Sequence, residues 1–292
     1  MLDLQNVTKS FGKQLTAVSD LSLQLAPGVV GLIGHNGAGK STLMQMIATL
    51  TRPTGGRILF DGVDIAARPE AIRRRLGYLP QDFGVYRNVS ALEFMQYFAA
   101  LKGVRDPARI RRLLELVNLH EQAGRMASTF SGGMLRRLGI AQALLNDPDV
   151  LVVDEPTAGL DPQERVRFHN LLSDIGEEKT VILSTHIVSD VADLCANMAI
   201  INKGHVLLCG EPARLIEGIE GRIWARFVTK QDLPDFQKRH TVISTRLLTG
   251  RPLVHVYAER YPGDDVEPIH PTLEDVYFAT IAGRHNALPG NC

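Results

Sequence analysis

The chain has 292 residues, with Lys plus Arg and Asp plus Glu both totalling 32, so its formal net charge is zero. That balance excludes a global field that would draw the protein to nucleic acid or anionic lipid, and leaves only local patches. The length suits a main domain plus a smaller second one. Residues 1–6, Met-Leu-Asp-Leu-Gln-Asn, lack a basic segment followed by an apolar one, and no uninterrupted apolar run approaches a membrane span. A soluble, cytoplasmic chain is therefore expected. Cys195, Cys209 and Cys292 are odd in number and lack C-x-x-C spacing, which points to reduced thiols and away from a zinc site.

Residues 2–7 and 21–25 alternate apolar and polar, as two half-exposed strands do. Phe11 lies between them, just upstream of a glycine-rich stretch. It could stack on an aromatic base or pack into the sheet edge, and the sequence leaves both open. The apolar run Val29-Val30-Gly31-Leu32-Ile33 reads as a buried strand. It leads into Gly34-His35-Asn36-Gly37-Ala38-Gly39-Lys40-Ser41-Thr42, which fits the pattern G-x-x-x-x-G-K-[ST]. A helix starting near Leu43 completes the order strand, loop, helix that this pattern requires. Gly37 and Gly39 let backbone N–H groups converge, the helix N-terminus adds partial positive charge, and Lys40 adds a full one. Phosphates suit such a cradle. Ser41 offers a hydroxyl to Mg²⁺, and Thr42 lies close to the inner phosphates.

Arg57 to Gly62 reads as a strand ending in an Asp-Gly turn, followed by a basic helix from Arg68 to Arg75. Leu76 to Pro80 is a short strand that delivers Gln81, whose carbonyl oxygen can reach Mg²⁺ or an attacking water. Residues 90–146 alternate helical periodicity with breaks at Pro107, Gly124 and Gly132-Gly133, the pattern of a helical insert. Its basic face, Arg105, Arg109, Arg111 and Arg112, reads first as solvated surface. Ser131-Gly132-Gly133 opens a second helix with an N-cap hydroxyl and bare backbone N–H groups, a second anion site about 90 residues from Lys40.

Asp149 to Pro156 reads as a buried strand ending in two carboxylates. Alternation along that strand predicts that Asp154 and Glu155 face opposite ways and do different work: Asp154 near Mg²⁺, Glu155 polarising a water. Thr180 to Thr185 is another buried strand, with His186 at its C-terminal end, the edge where parallel sheets bind ligands. A hairpin around Lys203-Gly204 closes the first domain near residue 210. Beyond it, strands near 222–228, 242–245 and 254–257, a polar helix and a closing helix over 272–281 carry no chemical motif.

Taken together and in this order, residues 1 to about 210 resemble the ATP-binding subunit of an ABC transporter. The resemblance implies an α/β P-loop NTPase core of the ABC ATPase type (1–210) with the helical subdomain at about 90–146; residues 211–292, outside the resemblance, read from their own strands and helices as a small C-terminal α+β domain of regulatory or dimerising type. It makes Phe11 the adenine stacker, 34–42 the Walker A loop, Gln81 the Q-loop, and Ser131-Gly132-Gly133 the signature segment. Asp154 becomes the Walker B aspartate with Ser41 and Gln81 as its companions at Mg²⁺, Glu155 the catalytic base, Gly159-Leu160-Asp161 the D-loop, and His186 the switch histidine. The usual signature is L-S-G-G-Q; here Phe130 and Met134 replace its first and last residues, so a hydrogen bond from the fifth side chain is absent. Ser-Gly-Gly-Met followed by Arg136-Arg137, and the tail Pro271 to Tyr277, are similar to the branch that exports drugs, lipids or polysaccharides. The implied partners are a separate membrane subunit and a second ATPase subunit, with no nucleic acid, at the cytoplasmic side of the membrane. ATP and Mg²⁺ are the implied ligands. The competing expectation, a soluble ABC ATPase acting on ribosomes or DNA, generally brings two cassettes or a long coiled coil; this chain has one Walker A and no sustained heptad repeat. A nucleotide-sensing module without turnover is the third expectation, and the presence of Glu155 speaks against it.

Overall fold

The apolar runs at 28–33, 150–154 and 180–185 become neighbouring parallel strands of one six-stranded sheet. The computed structural model describes residues 1–12 and 15–285, so Cys292 lies outside the described residues. In chain order the elements are β1 (Leu2–Phe11), β2 (Leu15–Leu25), β3 (Gly28–Ile33), α1 (Lys40–Ile47), β4 (Gly55–Phe60), β5 (Val63–Asp64), α2 (Glu70–Arg73) and β6 (Leu76–Leu79). The helical insert follows: α3 (Ala91–Leu101), α4 (Pro107–Leu116), a 3-10 turn at Ala127–Thr129, and α5 (Gly132–Ala143). Then come β7 (Val150–Asp154), α6 (Pro162–Gly176), β8 (Thr180–Thr185), α7 (Val188–Leu194), β9 (Asn197–Asn202) and β10 (His205–Gly210). The chain continues with α8 (Pro212–Glu217), β11 (Ile223–Phe227), α9 (Leu233–Arg239), β12 (Val242–Leu248), β13 (Arg251–Tyr257), β14 (Glu267–Pro268) and α10 (Leu273–Ile281).

The central sheet runs β10-β9-β3-β8-β7-β6, parallel except for β10. Both faces are covered, which is why the runs Val150–Val153 and Val181–Leu183 are apolar at every step. Alternation divides β3: Val29 and Ile33 pack towards α5, α6 and α7, while Val30 and Leu32 pack towards α1 and the antiparallel sheet β2-β1-β4-β5. The loops after β3, β7 and β8 consequently emerge side by side at one sheet edge.

The basic helix expected over 68–75 shrinks to the four residues of α2. The carbonyl of Arg75 accepts the N–H groups of Asp149 and Val150, at 2.9 and 3.1 Å, and this draws the chain out of the helix into β6. In the helical insert, Pro107 does not end a helix but begins α4, with Asp106 as its N-cap. There Arg109 is spent on the Leu144 carbonyl and Asp147, and Arg112 on Asp106. Among the described residues no helix is long and apolar enough to cross a membrane. Cys195 is a free, buried thiol.

After residue 210 the chain builds a third sheet, β12-β13-β11-β14, covered on one face by Phe236 of α9. Helix α10 turns back onto α7 and α8, and its Leu273 and Val276 join Leu215, Ile219 and Ile223 in the apolar core beneath the central sheet. Asp275 fixes α10 twice: it caps the helix through Thr272, and its Oδ1 lies 2.6 Å from His255 Nδ1 on β13. Two elements here, α8 and β14, have no counterpart in the sequence reading.

Candidate active site

The cradle at the end of β3 is held from behind. Helix α1 begins at Lys40, three residues earlier than its apolar periodicity suggests, so Lys40, Ser41 and Thr42 form its first turn. Gly39 caps it at φ 108°, and a Cβ there would stand 2.4 Å from the Ala17 carbonyl oxygen of β2. Only glycine meets both conditions. The turn of the β9–β10 hairpin supports the loop as well, with the Gly204 N–H donating to the Ala38 carbonyl at 2.9 Å. His35 is pinned to Asn202 at 3.0 Å. Asn36, Gly37, Gly39, Lys40, Ser41 and Thr42 line an open cleft of about 690 Å³, whereas Gly34, His35 and Ala38 of the same loop do not line it. Gln81 and Glu155 reach the same cleft, as do Phe11 and, from the hairpin turn, Lys203. Phe11 is 47% exposed, which removes the reading that it packs into the sheet edge; it stands at the cleft with Lys9 Nζ 5.1 Å from its ring centre.

Lys40 is 4% exposed and donates to the carbonyls of Gly34 at 2.7 Å and His35 at 3.3 Å, with Glu155 Oε1 at 3.5 Å. Burial pushes its ammonium below the ordinary value, and the carboxylates of Glu155 and Asp154 pull back against that. Asp154 and Glu155 do not face opposite ways as the alternation of β7 predicts. The chain leaves the strand at Glu155, whose φ of 46° turns its side chain towards the same cleft. Two hydrogen bonds hold that turn, from the Glu155 N–H to Ser184 Oγ at 3.0 Å and to the Ser184 carbonyl at 3.2 Å. Ser184 Oγ in turn donates to Asp154 Oδ1, which also accepts from Ser41 Oγ at 3.2 Å. Glu155 Oε2 lies 2.6 Å from His186 Nδ1. One cleft edge therefore carries a cation, a hydroxyl beside a carboxylate, and a second carboxylate joined to an imidazole.

The glycine cradle, the first-turn N–H groups of α1, the cleft volume and the exposed Phe11 ring fit a purine nucleotide with a phosphate chain. The oxygen pair Ser41 and Asp154 fits Mg²⁺, which takes one or two protein oxygens alongside phosphate and water. Among the described residues no group of three or more His, Cys, Asp and Glu side chains could hold a metal by itself.

Ser131, Gly132 and Gly133 do not line this cleft. Ser131 caps α5, accepting the Met134 N–H at 3.2 Å, and donates to Glu164 Oε1 at 3.4 Å. A Cβ on Gly133 would stand 1.6 Å from Glu164 Oε2, so any side chain there would expel that carboxylate. Arg137 lies 3.8 Å from the same group. The second helix N-terminus thus faces a carboxylate of its own chain. Asp161 is also apart from the cleft: it caps α6, accepting the Glu164 N–H at 2.8 Å.

The sequence profile of the ABC transporter family matches residues 18–158. The Nod factor export ATP-binding protein I of Cupriavidus metallidurans is 38% identical over 225 residues, covering 74% of this chain and 73% of that protein. The chain belongs to the ABC transporter family. The protein of the same name from Burkholderia lata is 40% identical over 224 residues, covering 74% of this chain and 72% of its own. Among solved structures, an ATP-binding subunit of an ABC transporter superposes with a TM-score of 0.66 at 27% identity, covering 74% of this chain and 92% of that one. A dimeric ATP-binding cassette in a post-hydrolysis state, bound to ADP and Pi, gives 0.65 at 27%, covering 72% and 98%. The chain is an ATPase of this family, with the ABC ATP-binding fold.

Three features of this ABC ATPase escaped the sequence reading. Ser184 could have been noticed as a polar residue in an apolar strand, but its link to both carboxylates needs the register of β7 against β8. Lys203 was seen only as half of a turn. Arg136, noted for its place after the signature, donates to the Pro80 carbonyl at 3.1 Å and so fastens α5 to the start of the Gln81 loop. No short motif signals a contact across 56 residues.

Proposed function

We propose that this chain is the ATP-hydrolysing subunit of an ABC exporter, acting as a pair of copies bound to a separate membrane subunit. Among the described residues, the cleft gathers Phe11, Lys40, Ser41, Gln81 and Glu155, while the signature residues Ser131 to Gly133 lie elsewhere. That observation carries the proposal. If both helix N-termini serve one ATP, the second must come from another chain in a two-fold, head-to-tail pair that buries two nucleotides. In this reading the cradle and Lys40 bind the phosphates, Phe11 stacks on adenine, and Ser41 and Asp154, with Gln81, would hold Mg²⁺, which would supply charge neutralisation at the phosphates. Glu155 accepts a proton from the attacking water, and His186 orients Glu155 and contacts the terminal phosphate. Asp161 places the start of α6 at the seam.

The export direction is supported by the likeness to the Nod factor export ATP-binding proteins and by the Ser-Gly-Gly-Met segment. For docking to the membrane subunit we assign the exposed pair Tyr86 and Tyr97, whose rings meet edge to face at 6.0 Å. The neighbouring Phe94 is core and Phe83 packs against it. Residues 211–292 act as a small regulatory or dimerising domain. A role on ribosomes or DNA has less support, since the net charge is zero and a single cassette is present.

The test is sedimentation of Glu155→Gln with ATP and Mg²⁺, alone and combined with Ser131→Arg. ATP-dependent dimers of the single variant are expected, and the added Arg should abolish them with ATP binding intact. A dimer that survives Ser131→Arg rules out the shared site. For docking, Tyr86→Asp should release the membrane subunit from a folded protein; loss of folding instead would make Tyr86 a structural residue.

A further inference from the structure

Asp190, in α7, is fully buried and belongs to no nucleotide-binding motif. Its Oδ2 accepts from Thr157 Oγ1 at 2.6 Å and from Thr185 Oγ1 at 3.3 Å. Its Oδ1 accepts from Arg165 Nε at 2.6 Å, and His169 Nε2 lies 2.9 Å away. Burial pushes the carboxyl up, but the nearby His169 ring, the Thr157 hydroxyl and the Arg165 guanidinium outweigh it and hold the group below the usual carboxylate range. A buried charge with this many donors is seldom a cheaper way to hold a core together than apolar side chains. Its distinctive property is direction, and the directions here converge on the reacting groups.

Thr157 stands two residues after Glu155. Thr185 immediately precedes His186, and its Oγ1 also accepts the Ile187 N–H at 2.9 Å, so one hydroxyl fixes the backbone on both sides of the histidine. Arg165 and His169 belong to α6, the helix that Asp161 caps. One carboxylate therefore holds the two loops that meet in the 2.6 Å contact between Glu155 and His186.

Resting on the assignment of Glu155 and His186 above, we propose that Asp190 is a positioning residue for ATP hydrolysis: through Thr157 and Thr185 it sets the loops that carry the base and the histidine, and through Arg165 it locks them to α6. It touches neither nucleotide nor water itself. Misplacing a reacting group by 1 Å costs on the order of 10²-fold in rate, so small rotations of either loop are enough to matter.

The experiment removes single hydroxyls with little change in volume. Thr157→Val and Thr185→Val are compared with Thr157→Ser and Thr185→Ser, and with Asp190→Asn, for kcat, equilibrium ATP affinity and melting temperature. The Val variants should lose about tenfold or more in kcat with ATP affinity nearly unchanged, and the Ser variants should recover it. Asp190→Asn should behave as the Val variants do; if it does not fold, the threonine variants decide. The proposal is overturned if both Val variants turn over at the wild-type rate, if ATP affinity falls in step with kcat, or if Ser is as slow as Val. Glu155→Gln serves as the control for the assignment beneath it: a fast Glu155→Gln removes that assignment, whereas a slow Glu155→Gln beside normal threonine variants removes only the positioning role.

Discussion

Helices α1 and α5 both begin with glycine and serine chemistry suited to an anion, yet they are built differently. The start of α1 lies at the end of a buried strand flanked by β8 and β9, is backed by Ala17 and Gly204, and holds a buried Lys40. The start of α5 follows a 3-10 turn, its Ser131 cap is exposed, and the charge facing it is the Glu164 carboxylate. The first is finished within one chain: the buried Lys40 cation, the N–H groups and the buried Glu155 carboxylate share one cleft edge. The second keeps its N-terminal field directed outward and partly neutralised. An anion gains little by binding there alone, and more when a second surface arrives with it. This asymmetry is what a nucleotide shared between two chains requires.

The sharpest way to break the comparison is at the finished end. Glu155→Gln keeps the shape and the contact to His186 but cannot accept a proton. Hydrolysis should slow by roughly 10²- to 10⁴-fold with ATP still bound. Turnover within a few-fold of wild type in a clean preparation would show that the base is elsewhere. Lys40→Ala comes next, removing a charge-assisted contact to phosphate worth about 1.5–3 kcal/mol, or about ten- to a hundredfold in ATP affinity. Calorimetry showing unchanged affinity would mean that Lys40 remains on the Gly34 carbonyl when nucleotide binds.

These two residues were also the most legible ones. Lys40 sits in a motif that is contiguous in the chain, because the physics it serves is local: one turn, one helix start, one point where N–H groups converge. Glu155 was found at the end of an apolar run, but its direction was missed, since a φ of 46° held by Ser184 is a tertiary constraint that alternation along a strand cannot express. The same holds for Glu164. Spacing along α6 says that it is a first-turn acid; that it lies over Gly133 depends on how α6 packs beside α5. Among folds, the parallel core was readable from its uniformly apolar strands, whereas α8 and β14 are too short to show a period. That Tyr86 and Tyr97 are exposed while Phe94 is core depends on which face α3 buries.

Glu164→Ala sharpens the comparison at the unfinished end. Removing the carboxylate frees the N-terminus of α5 from its internal counter-charge, and such interactions are worth about 0.3–1 kcal/mol. In the Glu155→Gln background, ATP-dependent dimers should tighten by about two- to fivefold. Unchanged or weaker association in sedimentation would show that Glu164 supports the segment and does not compete with phosphate for it.

A last test concerns the other end of α5, where the comparison with its open start can be made within one helix. Lys102 Nζ donates to the carbonyls of Gln142 at 3.2 Å and Ala143 at 3.4 Å and to Asn146 Oδ1 at 2.8 Å, closing the last turn. Burial pushes its ammonium down to about 8 from an ordinary value of 10.5. The sign of the consequence follows from proton counting. Below pH 8 both folded and unfolded chains carry the proton, and the folded state bears the full cost of burying the charge. Between pH 8 and 10.5 the unfolded chain still binds a proton that the folded chain has released, so the free energy of unfolding rises with pH across that window and levels off above it. Lys102→Met has no such group and should lack that component. Urea midpoints of the two proteins, measured at several pH values through the window, should therefore diverge in favour of the wild type as pH rises, with other titrating groups cancelling in the difference. Parallel curves would mean that the end of α5 is as wet as its beginning, and the contrast between a closed C-terminus and an open N-terminus on this helix would fail.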